Sequence, residues 1–171
     1  MKMSARKPLG PHRRLAAQGG GSVGFVLRIT VTFGHPKFWR RIVVPADIKL
    51  PRLHAVIQIA TGAIEAHQHF FVGGDKTVYA HPSWDDLPRI RNGSRVRLDE
   101  LLQRAGDEVG YFSGDSDEWE HVIELLEITR SAERIGAACL GGNRSSLIRT
   151  GRRDPGFQVA AVNKQLRRLA R

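Results

Sequence analysis

A single cysteine, Cys139, stands in the whole chain, so no intrachain disulfide can form. That fits a reducing cytoplasm, the expected location. Long apolar runs are also missing. None approaches the roughly 20 residues that a membrane-spanning helix needs, and no membrane partner is expected. The basic N-terminus is followed by Gly19, Gly20 and Gly21 where a secretory signal would carry an apolar stretch, so it does not read as an export signal. G-x-S-x-G, a phosphate-binding P-loop and G-x-G-x-x-G are all absent. The triple glycine precedes a strand, and no helix follows it. No catalytic residue is assigned, and the expectation is a non-enzymatic protein.

Acidic residues are missing from the first flank and scarce in the last. Residues 1–24 hold five Lys/Arg and no Asp/Glu. Residues 25–130 hold 13 basic and 15 acidic side chains, and residues 131–171 hold nine and two. The whole excess of the +10 net charge therefore sits outside a nearly neutral middle. Basic arms on either side of a neutral domain are the footprint of a polyanion-binding protein, with DNA or RNA as the partner. Solubilising tails are the plainer alternative. The candidate contacts are Arg6, Lys7, Arg13 and Arg14 in the first arm, and Arg152, Arg153, Lys164, Arg167 and Arg168 in the second.

A chain of 171 residues with 41% apolar content suits one domain. Residues 1–24 read as a disordered basic tail, 25–130 as the folded domain, and 131–171 as a basic Gly/Arg-rich extension. Phe25, Leu27, Ile29, Val31 and Phe33 alternate with more polar neighbours, which predicts a strand. Phe38–Val44 predicts a second strand, ended by Pro45 and antiparallel to the first because the connection is short. Leu53, Val56, Ile57 and Ala60 then recur at helical spacing, so a helix runs from near Pro51 to Thr61, with Gly62 as its cap. Further strands are expected at His67–Val72 and Lys76–Ala80, and a hairpin from Glu108–Phe112 and Trp119–Ile128. Pro82–Gly93 reads as a polar loop, and Val96–Arg104 as a strand end running into a short helix. Phe157–Arg171 reads as a C-terminal helix with a narrow stripe of Val159, Val162, Leu166 and Leu169. That helix docks on its own domain by default; self-association through it is the other expectation. Strands mixed with few helices, without a βα repeat, predict an α+β fold: an antiparallel or mixed sheet, one main packing helix, and one or two smaller helices.

Several blocks together carry a family resemblance. Trp39 to Asp47 (W-R-R-I-V-V-P-A-D) is followed by Leu53 to Gly62 (L-H-A-V-I-Q-I-A-T-G). His67-Gln68-His69 precedes Phe71, and Trp119-Glu120-His121 precedes Ile123 and Leu125. In this order they closely resemble the plasmid pRiA4b ORF-3-like family, also known as TnpR-like passengers of insertion sequences. The resemblance covers about Phe25 to Ile128. It implies a compact α+β domain and a link to plasmids and mobile elements, and no established catalytic mechanism. The chain departs from the family pattern at Gly62–His67, at the longer Ser113–Trp119 turn and after Arg144. A resolvase-like role would require recombinase chemistry. Ser4 and Ser22 have no neighbouring base, and Tyr79 and Tyr111 are not C-terminal, so neither recombinase type is supported.

The histidines form the main constellation. His67 and His69 lie two apart on one strand and share a face; His121 lies on another strand, and His54 on the helix above. Converging imidazoles would suit a divalent metal such as zinc, or a small ligand. Histidines that pack and hydrogen-bond the helix to the sheet are the favoured alternative. Asp115, Asp117, Glu118 and Glu120 crowd one turn, which reads as a solvated acidic loop before a cation site. Cys139 reads as a structural thiol. Among Lys37, Trp39, Arg40 and Arg41, alternation sets Trp39 and Arg41 on one face. It sets Arg40 among apolar neighbours, as a partly buried guanidinium paired to an acid such as Asp47.

Overall fold

The computed structural model describes residues 21–32, 38–63, 68–81, 90–113, 120–143 and 156–169. The apolar alternation of the first predicted strand becomes β1 (Ser22–Val31), with Phe25, Leu27 and Ile29 fully buried and Arg28 exposed between them. It starts at Ser22, inside the segment read as a tail. β2 (Trp39–Pro45) pairs antiparallel with it, Leu27 opposite Ile42. After α1 (Leu50–Thr61) come β3 (His69–Val72), β4 (Val78–Ala80) and β5 (Ile90–Asn92). One 3-10 turn (Leu98–Glu100) leads into β6 (Glu108–Ser113) and β7 (Glu120–Ser131). β8 (Ala138–Gly142) and α2 (Val159–Leu169) complete the described elements.

These eight strands form one sheet in the order β5-β4-β3-β6-β7-β1-β2-β8. All neighbours are antiparallel except β4 and β5, so the sheet is mixed and the fold is α+β. α1 is the main packing helix. Leu53, Val56, Ile57 and Ala60 are buried on it, at the expected spacing, against Phe71, Val109, Ile123 and Leu125 of the sheet. Gly62 caps it in the left-handed region at φ 72°, which glycine adopts without a Cβ penalty. Lys49 supplies no side-chain cap at the other end. A backbone bridge to Arg97, with Leu50 N–H donating to Val96 O at 3.0 Å and Leu98 N–H to Ile48 O at 2.9 Å, holds that end instead. Among the described residues no helix is long and apolar enough to cross a membrane.

Two strands lie where periodicity predicts none. β5 is three residues inside the stretch read as a polar loop, and it has no buried side chain. β8 is Ala-Cys-Leu-Gly-Gly, without a β-branched residue. Both are edge strands whose pairing, not composition, makes them strands. β8 pairs with β2, so part of the segment after Arg130 belongs to the sheet. Its free edge is covered by α2. Asn163 Oδ1 accepts from Cys139 N–H at 2.7 Å, and Asn163 Nδ2 donates to Cys139 O at 3.0 Å. One side-chain amide thus occupies the place of a ninth strand and blunts an exposed edge. Leu166 of α2 is buried, and Val162 and Leu169 pack partly against the core, so the helix docks on its own domain.

Arg40 is 2% exposed and sits on the helix-facing side of β2, as its alternation predicts. Its described contacts are not with Asp47, which lies exposed after β2. Nε donates to Ala60 O at 3.0 Å; Nη1 donates to Trp39 O at 3.0 Å and to Asn143 O at 2.9 Å. The guanidinium lies 4.0 Å from the Phe38 ring centre on one side and 3.7 Å from that of Phe157 on the other. Among the described residues its partners are these carbonyl oxygens and two π-faces, in place of Asp47. Burial pulls Arg40 down to about 10, with Cys139 acting in the opposite sense, so it stays charged at neutral pH. Gly142 leaves room for it: a Cβ there would meet Arg40 Cδ at 2.7 Å and Trp39 O at 2.8 Å.

Arg40→Met should cost about 2–4 kcal/mol, because it strips buried carbonyls of their donor. Arg40→Lys should recover little, since an ammonium cannot span the same fork of acceptors. Urea unfolding measures both. A loss below about 1 kcal/mol in each would show that the guanidinium does not pin the fold.

Candidate functional site

α1 carries His54 and Gln58 one turn apart, on the same side of the helix. Beneath them the sheet presents His69 from β3, Tyr111 and Ser113 from β6, and His121 from β7. Register fixes the neighbours: His69 lies opposite Ser113, and Tyr111 lies between Phe71 and His121. Tyr111 is fully buried, His121 is 2% exposed, and Gln58 and Ser113 are 8% exposed.

These side chains close a polar ring. The His54 and His69 rings stack at 3.6 Å between centres, 8° from parallel. His54 Nδ1 is 2.8 Å from Tyr111 Oη. Gln58 Nε2 donates to Tyr111 Oη at 2.8 Å and to Ser113 Oγ at 2.9 Å. Tyr111 accepts from Gln58 and shares a hydrogen bond with His54 Nδ1, whose direction the His54 tautomer sets. The His121 ring centre lies 5.2 Å from that of Tyr111. Among the described residues, Gln58 Oε1 and His69 Nδ1 on the ring are buried polar atoms with no hydrogen-bond partner.

Burial pulls His54 down to about 4, and the neighbouring His69 adds to the effect. Burial also lowers His69, with His81 adding to it. Both rings are therefore neutral at pH 7, as face-to-face stacking requires. Burial raises Tyr111, against the hydrogen bonds of Ser113 and Gln58. The ring is thus a set of neutral donors and acceptors. Among the described residues no group of three or more His, Cys, Asp or Glu could hold a metal ion. The stacking gives a physical reason: the in-plane lone pairs of two parallel imidazoles run side by side and do not converge on one ion.

Of the predicted histidines, His54 and His69 stack on each other, His121 lies against Tyr111, and His67 lies outside the described residues. The sequence reading misses Gln58, Tyr111 and Ser113. Their only signal there is positional: Gln58 follows His54 by one helical turn, and Tyr111 and Ser113 share a strand face with the expected core. Of the acidic turn, Asp115, Asp117 and Glu118 lie outside the described residues; Glu120 Oε2 accepts from Thr32 Oγ1 at 3.2 Å. Cys139 is 2% exposed, and burial raises its thiol, with a Gly141 hydrogen bond and Arg40 opposing, so it sits as a structural thiol.

Of the basic candidates, Arg6, Lys7, Arg13, Arg14, Arg152 and Arg153 lie outside the described residues. Lys164, Arg167 and Arg168 are exposed on α2. Arg52 of α1 donates through Nη2 to Leu169 O at the end of α2, which brings Arg52 and the exposed Lys49 beside the basic helix. Neither α1 nor α2 contains an Asp or Glu. Trp39 and Arg41 share the opposite, outer sheet face, as alternation predicts, and Arg28 lies over Trp39 at 5.9 Å.

A pH dependence follows from the stacked pair. An unfolded histidine takes up its proton near pH 6.5, whereas folded His54 resists it down to about 4. Between those values the unfolded chain binds more protons, so stability is fully present above the window and falls as pH drops through it. Thermal melts from neutral pH into that window should show the fall, and His54→Gln should make it shallower. Equal slopes for the two proteins would remove His54 as its source.

The comparisons with known proteins agree with this fold. The family described as "Plasmid pRiA4b ORF-3-like protein" matches residues 24–150. "Uncharacterized protein y4hQ" of Sinorhizobium fredii is 36% identical over 108 residues, which is 60% of this chain and 54% of that protein. The chain thus spans about half the length of that curated relative. The crystal structure of a protein of unknown function, MM3350, from Methanosarcina mazei Go1 superposes with a TM-score of 0.63. It is 21% identical and covers 87% of this chain and 82% of its own, a likeness of fold alone. With its matched span running from β1 through β8, this chain belongs to the plasmid pRiA4b ORF-3-like protein family.

Proposed function

We propose that this protein is a non-enzymatic accessory protein of a plasmid or other mobile element that contacts nucleic acid through a cationic surface on its helices. The observation that carries the reading is the pair of acid-free helices, joined where Arg52 reaches the end of α2. Lys49, Arg52, Lys164, Arg167 and Arg168 are all exposed there. Docking through Leu166 and Asn163 fixes α2 with its cations outward, so they are presented to a phosphate backbone without unfolding anything. The basic tails, with Arg6, Lys7, Arg13, Arg14, Arg152 and Arg153, extend the same electrostatic footprint.

The expected result is salt-sensitive binding to duplex or single-stranded nucleic acid, read by fluorescence anisotropy. Replacing Lys164, Arg167 and Arg168 together by alanine should weaken it about tenfold or more and reduce the salt slope by about 2–3. All three are exposed, so the fold should be unaffected. No binding by the full chain at low salt would end this reading.

A second reading rests on a different observation, the unpartnered Gln58 Oε1 and His69 Nδ1 in the buried ring. Buried polar atoms are normally satisfied, and a neutral small molecule with a donor beside an acceptor would satisfy these. A thermal-shift screen of amides, ureas and nucleobases should then give a hit that Gln58→Leu abolishes and a chelator leaves unchanged. A hit lost on chelation would instead restore the divalent-metal reading of His54, His67, His69 and His121.

A further inference from the structure

We propose that the outer face of the sheet docks a second copy of this chain, face to face, about a two-fold axis running along the strands between β7 and β1. The described helices leave this face uncovered, because α1 packs on the core side and α2 on β8 and α1. Strand register places four charged residues at one level across it. Glu108 lies opposite Glu124, Glu124 opposite Arg28, and Arg28 opposite Arg41. Crossing β6, β7, β1 and β2, the row reads minus, minus, plus, plus.

Within one chain that order sets glutamate beside glutamate and arginine beside arginine, with the one unlike pair, Glu124 and Arg28, at its centre. Like charges directly opposite each other are unfavourable in an antiparallel pair. None of the four belongs to an ion pair among the described residues. Arg28, Arg41 and Glu108 are exposed and Glu124 is half-buried, so the row is available to a partner.

A half-turn about the stated axis keeps the level and reverses the order. Arg28 then faces Glu124 of the second copy, and Arg41 faces Glu108 of the second copy. All four charges of each chain meet an opposite one. The adjacent level reads Gly110, Val122, Thr30, Trp39 across the same strands. The same rotation sets the half-buried Trp39 toward Gly110 of the second copy, a buried residue flanked by the side chains of Phe112 and Val72, so the indole packs on those side chains. The Phe112 ring edge borders this spot, at 3.3 Å from where a Gly110 Cβ would stand, so the indole meets an aromatic edge there. Val122 faces Thr30 of the second copy. Two sheets packed this way form an aligned sandwich. Self-association through the apolar stripe of α2 is not favoured, because Leu166 is buried and Val162 and Leu169 pack within their own domain.

Sedimentation velocity on the full chain tests the proposal. At low salt the protein should sediment as a dimer that weakens as salt is added. Arg28→Glu with Arg41→Glu should give a monomer, and adding Glu108→Arg with Glu124→Arg should restore the dimer. Thermal melts confirm that each variant is folded; should the double reversal fail to fold, Val122→Lys tests the same face with a single change. A wild-type chain that stays monomeric up to about 100 µM overturns the proposal. So does a dimer that survives folded charge-reversal and Val122→Lys variants, including one then lost on truncation at Gly156, which would place the contact on α2.

Discussion

One buried cation ties the molecule together. Arg40 reaches the last turn of α1 through Ala60, its own strand through Trp39, the end of β8 through Asn143, and the approach to α2 through Phe157. The carbonyls take the edge of the guanidinium and the two rings its faces. A buried cation is costly unless its donors are satisfied, and here the satisfying groups come from four separate segments. The charge therefore cannot be accommodated unless those segments assemble. Gly142 is part of the same constraint, since any side chain there would occupy the space of the Arg40 stem.

With α1 and α2 gathered on the core side and at the β8 edge, the charge distribution divides. The two helices carry cations and no acid, whereas β6 and β7 carry Glu108, Glu120, Glu124 and Glu127. Between these layers lies a core of Phe, Leu, Ile and Val, interrupted at one end by the neutral ring of His54, His69, Tyr111, Gln58 and Ser113. That ring, like the Arg40–Ala60 bond, joins helix to sheet directionally beside the apolar packing of the rest of the interface. Among the described residues it leaves Gln58 Oε1 and His69 Nδ1 without a partner.

The strongly periodic elements are legible in the sequence. β1, β2, α1, β6 and β7 stand where alternation and helical spacing put them, within a few residues at each end, and Gly62 caps α1 as expected. The gathering of the histidines on one face follows from strand parity and helix position. Other features carry no local signal. β5 and β8 are strands because a neighbour offers a free edge. Parity places Arg40 correctly but gives no sign of its described partners, since Ala60, Asn143 and Phe157 lie 20, 103 and 117 residues away in the chain.

Composition and periodicity by themselves determined the fold class, the order of the main elements and the side of β1 and β2 that faces the core; the order of the motif blocks pointed to the family. The first three depend on contacts within a few residues, where spacing translates directly into geometry. The tertiary structure alone decided what closes around Arg40, how Asn163 covers the edge of β8, and that Arg52 brings α1 beside the basic face of α2. It also decided that His54 and His69 stack as neutral rings, and that Glu108, Glu124, Arg28 and Arg41 share one level. All of these depend on register and on side chains meeting across long stretches of chain, which no local pattern encodes.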